Sequence, residues 1–534
     1  MSSPTSRPPA FQENVGRSAF LVAAGIFLSR IFGLVRESVF AHYFGLSAVA
    51  DAFRSAFRIP NILQNLLGEG VISASFIPVY ARLLAQEESE KEESGRVAGA
   101  IFSLLALLTA ALVLVGVLAA PVLTALIAPG FHDERRALTI QLVRVLFPGI
   151  GLMVMSAWCL GVLNSHRKFF LSYISPVMWN LAMIAALLLG GSRVSLESLA
   201  LYAAWGSVVG AALQFLVQLP TVLRLAPTLR FALATSNEHV RVVIKNFVPV
   251  FVSRGVNQIS AYLDNFLASY LPVGAVAALS NAQILAMLPV SLFGMAISAA
   301  ELPGMSSALG DEQEVAETLR RRIAASTRRI AFFVVPSAAA FLALGDVIAA
   351  AIFQSGQFKH ADSIYVWGIL AGSAVGLVAS TTSRLYSSAY YALRDTRTPL
   401  RYAVIRVLLT GALGYICALP LPRYLGYPSW GAAGLTASAG FAAWLEFTLL
   451  RRSMERRIGP VPFPGGYFAK LWAAAIVSAV VGLGFRYFFY SLHPLVKGLV
   501  VLGPFGISYL AITVITGIEE AAALRRRVFG FLKR

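Results

Sequence analysis

Six polar residues recur at helical spacing along one apolar stretch near the N-terminus. Asp51, Arg54, Arg58, Asn61, Asn65 and Glu69 follow one another at intervals of 3, 4, 3, 4 and 4 residues. On a helix they fall within about 80° of each other. The opposite face carries Ala52, Phe53, Ala56, Phe57, Leu63 and Leu67. In the preceding apolar stretch Arg30 and Glu37 are seven residues apart and share a face, with Arg36 beside them. A charge at the centre of a bilayer costs at least about 2.5–3.5 kcal/mol, so such residues face a protein interior or water. Two chemistries fit the pattern. One is a set of structural ion pairs, Asp51 with Arg54 or Arg58 and Arg30 with Glu37. The other is an anion site: Arg30, Arg36, Arg54 and Arg58 face only Glu37 and Asp51 nearby, since Glu69 lies about 16 Å along the helix from Arg58. Surplus guanidinium forks suit phosphate oxygens. The sharper expectation is a cavity that accepts a phosphorylated, amphipathic cargo.

Polar residues later in the chain are sparser. Arg254, Asn257, Gln258 and Asp264 lie in a seventh apolar stretch, and Asn281 and Gln283 in an eighth. Arg254 and Gln258 are i,i+4 and share a helix face. Arg384, Arg406 and Glu446 stand singly in later stretches, each able to snorkel or pair locally. No P-loop sequence is present, and no nucleophile, His or Asp cluster has catalytic spacing. The sequence therefore predicts a transporter driven by a gradient or by its cargo, not an enzyme.

The elements that must position these residues are membrane helices. Of 534 residues, 57% are apolar and only 13% are charged, against about 25% charged in soluble domains. Apolar segments long enough to cross a bilayer lie near 18–44, 48–84, 97–126, 137–163, 169–190, 196–219, 242–271, 273–298, 330–353, 362–393, 400–419, 429–450, 467–490 and 496–517. About 14 transmembrane helices and an all-α polytopic membrane protein are expected. Arg30, Arg36 and Glu37 in the first segment argue against a cleavable signal. The net charge of +18 is topogenic on this view, and no basic platform with interleaved aromatics points to nucleic acid. With the N-terminus in the cytoplasm, inner loops collect Arg167, Lys168, Arg320, Arg321, Arg322, Arg328, Arg329, Arg451, Arg452, Arg456 and Arg457, and the C-terminal tail adds Arg525, Arg526 and Arg527. Outer loops hold little more than Arg135, Arg136, Arg193, Lys359, Arg423 and Lys497. This bias predicts both termini in the cytoplasm. Cys159 and Cys417 sit in apolar runs and are expected only to pack.

Weak echoes suggest a duplication. Ala48-Val49-Ala50 is echoed by Ala275-Val276-Ala277, Pro78 by Pro303, Ile127–Phe131 by Phe353–Phe358, and Leu163–Arg167 by Leu393–Arg397, all at shifts of 225 to 230 residues. Two pseudo-symmetric six-helix lobes plus two C-terminal helices follow. The expected division is 1–14 disordered cytoplasmic tail, 15–219 N-lobe, 220–241 cytoplasmic linker, 242–452 C-lobe, 453–517 two further helices and 518–534 basic cytoplasmic tail. A parallel repeat of this kind tends to place its cavity at the repeat interface.

The chain resembles the MurJ (MviN) family of the MOP exporter superfamily over nearly its whole length. The resemblance is carried by Ser29-Arg30-Ile31-Phe32-Gly33-Leu34-Val35-Arg36-Glu37, Ala50-Asp51-Ala52-Phe53, Arg58-Ile59-Pro60-Asn61-Ile62-Leu63, Gly68-Glu69-Gly70, Ser73–Pro78, Ala128-Pro129-Gly130-Phe131, Leu292–Ala296 and Thr396-Arg397-Thr398-Pro399. It implies a flippase of the bacterial cytoplasmic membrane for lipid II, the undecaprenyl-diphosphate-linked precursor of peptidoglycan, with Arg30, Arg36 and Asp51 lining a cationic cavity. Glu37 stands where Asp is usual. Gln64 and Asn65 stand where a family arginine is expected, and so does Gln283. Arg54 and Arg58 are the expected compensation. Asp264 matches a family cation-site acid; the eleventh segment lacks the expected ligands and carries Arg406, so Na+ or H+ coupling stays open and no other cofactor is implied. The expected partners are lipid II or a related polyprenyl-diphosphate glycan and the membrane lipids, with no nucleic acid, and the expected state is a monomer. The alternatives are a flippase for an O-antigen-type glycan, a cation-coupled multidrug exporter, which should carry an acidic cavity, and a non-transporting scaffold.

Overall fold

A bilayer offers no partner for backbone N–H and C=O groups, so apolar segments of this length fold as helices that satisfy themselves. The computed structural model describes the backbone of residues 9–86, 88–307, 311–462 and 465–532; the side chains of 9–21, 23, 88–91, 250, 252–261 and 527–532 are outside that description. Among the described residues there is no strand. The helices in order are α1 (Pro9–Phe44), α2 (Ala48–Leu67), α3 (Glu69–Ser75), α4 (Ile77–Leu84), α5 (Glu88–Leu118), α6 (Ala120–Ile127), α7 (Asp133–Ser165), α8 (Phe169–Ile174), α9 (Pro176–Gly190), α10 (Leu196–Leu225), α11 (Glu238–Ala268), α12 (Ala275–Pro289), α13 (Ala296–Ser306), α14 (Glu312–Phe353), α15 (His360–Ala392), α16 (Arg397–Ala418), α17 (Pro420–Tyr424), α18 (Gly431–Ile458), α19 (Gly465–Phe488), α20 (Pro494–Ile515) and α21 (Glu519–Leu532).

The protein is an all-helical, multi-span membrane protein. Twelve stretches among the described residues are long and apolar enough to cross a membrane, and they match twelve of the fourteen expected segments. The first and seventh expected segments are the helices α1 and α11, whose side chains are described only in part, so the count of fourteen is not reached. Helix α1 starts at Pro9, so residues 9–14 are helical where the sequence predicts a disordered tail. Proline suits a first helical turn, where its missing N–H has no partner to lose. The second expected span runs through Pro60 without interruption and breaks instead at Gly68, whose backbone turns to φ −83°, ψ −149°.

The chain divides into two compact units, Met1–Phe266 and Leu267–Arg534. In the first, α7 is the central helix: α2, α5 and α10 pack on it, α9 packs on α10, and α1 on α8 and α9. Trp158 of α7 is fully buried and donates its indole N–H to the Ala98 carbonyl of α5 at 3.1 Å. Ser47 caps α2 by accepting the Ala50 N–H at 3.1 Å. In the second unit α15 is central, against α12, α14 and α18, and α16 packs on α18. A Cβ at Gly376 of α15 would lie 2.4 Å from the Gly440 Cα of α18, so the two backbones touch. Small residues permit this approach between membrane helices. Helices α19 and α20 pack on each other and on α14. Arg486 of α19 forks onto the buried Asp346 of α14 at 2.9 and 3.1 Å, and Tyr509 of α20 donates to the Phe332 carbonyl of α14 at 2.7 Å.

The internal repeat is visible in local structure. Helix α2 starts at Ala48 and α12 at Ala275, and α7 runs Asp133–Ser165 as α15 runs His360–Ala392. Each pair is shifted by 227 residues. Both α7 and α15 end in the same cap. Lys168 and Asp395 donate to the carbonyls five residues earlier at 2.8 and 2.9 Å, and Arg167 and Arg394 to those three earlier at 3.0 and 3.0 Å. The capping residues Arg167 and Arg394 have φ of 59° and 58°, the left-handed turn that closes such a cap.

Candidate functional site

The first unit holds an open chamber of about 980 Å³. Ser29, Gly33 and Arg36 of α1 form one wall, and Phe57, Asn61, Gln64 and Asn65 of α2 form the next. Glu69 stands where α2 breaks. Ser156 and Ala157 of α7, Tyr173, Trp179 and Asn180 of α8 and α9, and Gln214 of α10 complete the lining. The lower half of the predicted stripe thus faces a hollow, as its spacing requires.

The upper half does something else. Glu37 is buried and accepts from two guanidiniums, those of Arg36 and Arg54. Arg36 also donates to Asn180 Oδ1 at 3.0 Å and lies 4.4 Å from the centre of the Trp179 ring. Arg54 lies 4.4 Å over the Phe40 ring and is absent from the chamber lining. Asp51 is 1% exposed and pairs with Arg135 of α7 at 3.4 Å. Arg135 is further held by the Gly130 carbonyl at 3.2 Å and the Phe131 ring at 4.0 Å. Arg58 interacts electrostatically with Asp264 of α11.

The expected excess of arginines over acids persists, as five against three. Arg135 and Asp264 enter the balance from distant sequence, and Arg36 and Arg54 share one carboxylate. The trio of Arg36, Glu37 and Arg54 keeps one positive charge, and Arg36 is the guanidinium on the chamber wall. Arg30 is exposed on α1 and, like Glu37, Asp51, Arg54 and Arg58, is not part of the chamber lining. Gln283 is half-buried on α12 in the second unit. Arg254 and Gln258 lie on α11 with side chains outside the described residues.

What the chamber can do follows from its lining. Asn65 donates to Asn61 at 2.8 Å, and Gln214 and Gln218 both donate to the Ser156 hydroxyl, at 3.0 and 2.6 Å. Gln64 also lines the chamber, and the buried Ser172 hydroxyl on the wall has no hydrogen bond among the described residues. One guanidinium, one carboxylate and many carboxamides and hydroxyls make a wet, polar compartment, suited to a phosphorylated head with neutral polar groups. The sequence did not single out Asn180, Gln214 or Trp179. The i,i+4 pair Gln214 and Gln218 in an apolar segment was the available signal. Among the described residues no group of three or more His, Cys, Asp or Glu could hold a metal ion. Asp264 has the charge of Arg58 as its neighbour where a bound cation was expected.

A multi-span helical protein with a polar chamber lined by its spans is of transporter class. Comparison with known proteins is more specific. The family model described as lipid II flippase MurJ matches residues 40–503. The lipid II flippase MurJ of Burkholderia cenocepacia is 32% identical over 477 residues, covering 87% of this chain and 89% of that protein. A probable lipid II flippase MurJ of Rhizobium tropici is 30% identical over 533 residues, covering 94% of each. A solved lipid II flippase MurJ in an inward closed conformation aligns with a TM-score of 0.76 at 23% identity, over 93% of this chain and 98% of that one. An inward-facing multidrug MATE transporter of the MOP superfamily aligns at 0.65 and 17% identity, over 82% and 98%. These two structural likenesses speak for the fold. The chain belongs to the lipid II flippase MurJ family.

Proposed function

We propose that this protein moves lipid II from the cytoplasmic to the outer leaflet of the bacterial cytoplasmic membrane by alternating access, acting as a monomer with both termini in the cytoplasm. The family match over residues 40–503 carries this proposal. The chamber supports it: Arg36 offers a guanidinium held by Glu37, Asn180 and Trp179, and Gln64, Ser156 and Gln214 offer neutral hydrogen-bonding groups. In this scheme Arg36 meets the diphosphate. Glu37, Asp51, Arg54 and Arg58 hold the frame around it, and Asn61, Asn65 and Glu69 border the head group. The polyprenyl tail stays in lipid. No metal is proposed at Asp264, because the charge of Arg58 already faces it.

The test is rescue of peptidoglycan synthesis in cells whose own flippase is shut off, paired with flipping of labelled lipid II in proteoliposomes. The wild-type chain rescues and flips. Arg36→Gln loses rescue and slows flipping at least tenfold, the expected order for one charge-assisted hydrogen bond. Flipping of a different polyprenyl-diphosphate glycan with no movement of lipid II would replace the proposed cargo.

A further inference from the structure

The duplication says where in the second unit to look for the counterpart of the chamber wall. Under the shift that carries α7 onto α15, Ala157 falls on Arg384 and Trp179 on Arg406. Helix α18 is displaced a little further, because the short helix α17 is inserted before it. Its register is set by packing: Gly149 of α7 meets Val208 of α10 as Gly376 of α15 meets Gly440 of α18, so Gln214 falls on Glu446. Ala157, Trp179 and Gln214 all line the chamber of the first unit. The three corresponding positions of the second unit hold two guanidiniums and one carboxylate.

These three side chains interact. Arg406 Nε lies 3.4 Å from Glu446 Oε2, with the carboxylate 8% and the guanidinium 30% exposed. Arg384 interacts electrostatically with both. It is exposed on the surface of the unit and makes no hydrogen bond or ion pair among the described residues. Arg406 uses Nε toward Glu446, and its two Nη groups have no hydrogen bond among the described residues. Arg384 stands eight residues before the end of α15 and Arg406 nine residues after the start of α16. Both are thus about 12–14 Å of helix rise from those ends and level with each other. Two like charges held around one acid at that depth are unfavourable unless an anion joins them. Two planar forks with free Nη groups match the oxygens of a phosphoryl group.

We propose that Arg384 and Arg406, on either side of Glu446, form a second phosphoanion site, in the second unit. Its ligand is the phosphate of a lipid, either the diphosphate of the transported cargo or the headgroup of a resident anionic phospholipid. The site stands apart from the identity of the cargo. Only its assignment to the diphosphate rests on the flippase proposal.

The experiment uses the full chain in nanodiscs and measures binding of three probes: undecaprenyl diphosphate, phosphatidylglycerol and inorganic pyrophosphate. Arg384→Gln and Arg406→Gln should each weaken binding of a lipid phosphate by about ten- to hundredfold, the range for a charge-assisted contact. Glu446→Gln should tighten it about three- to tenfold, because removing the acid raises the local positive charge. A gain of binding is a result that misfolding does not imitate. Loss confined to undecaprenyl diphosphate assigns the site to the cargo, and loss confined to phosphatidylglycerol assigns it to a resident lipid. Either outcome upholds the phosphoanion site, and the second does so even if no flipping of lipid II is found. Unchanged binding of all three probes in both arginine variants overturns it. So does a Glu446→Gln protein that binds as weakly as the arginine variants, which would make the cluster a packing device. An effect on pyrophosphate alone overturns the lipid assignment and with it the proposal.

Discussion

Glu37 serves two arginines at once, and its removal should be felt more than that of either. Glu37→Gln would leave Arg36 and Arg54 facing a neutral amide in a largely buried setting. Breaking a buried pair from one side costs about 3–5 kcal/mol, since it leaves uncompensated charge. The expected outcome is a clear fall in the thermal midpoint of the purified protein, partly restored when Arg54→Gln is added. An unchanged midpoint would mean that the trio is not the stabilising unit described. At this scale the sequence was legible where partners are close in the chain and opaque where they are not. Helical spacing revealed the stripe from Asp51 to Glu69. The partners that decide its charge balance come from 84 residues away, Arg135 to Asp51, and 144 residues away, Asn180 to Arg36. No local periodicity encodes which arginine an acid will meet.

Helices were the readable elements, because 20 apolar residues in lipid have few alternatives to a helix. Their interruptions were less readable. Helix α2 runs on through Pro60 and ends at Gly68, and the turn of π-helix at Val290–Met295 has no obvious marker. Two element-level outcomes are testable. Gly376→Ala puts a methyl group against the Gly440 backbone. It should destabilise the second unit by about 1–3 kcal/mol, as overpacking does, seen as a lowered midpoint. The second concerns the α15–α16 turn. Burial raises the Asp395 carboxyl, but the Thr398 N–H and hydroxyl and the Arg457 guanidinium outweigh it and hold the group down at about 2. A carboxyl lowered on folding stabilises above its unfolded value of 3.8 and loses that contribution as pH falls through the folded one. Stability from this turn should be full above about pH 4 and fade toward pH 2. Asp395→Asn should remove that part of the pH dependence, measured as midpoint against pH.

For the molecule as a whole, the bias of Lys and Arg among loops is the readable topogenic signal. The proposed topology has both ends in the cytoplasm. Green fluorescent protein fused after Arg534 should fluoresce, and alkaline phosphatase fused there should be inactive; an active phosphatase would reverse the orientation. The duplication was legible only as faint echoes, and it became firm through matched helix ends and matched caps. One further consequence concerns α19 and α20. They are fastened to α14 through the Arg486 fork on Asp346 and the Tyr509 bond to Phe332, so they ride with that helix as passengers. A dye carried by either passenger would trace the travel of its host during turnover while leaving the chamber of the first unit untouched.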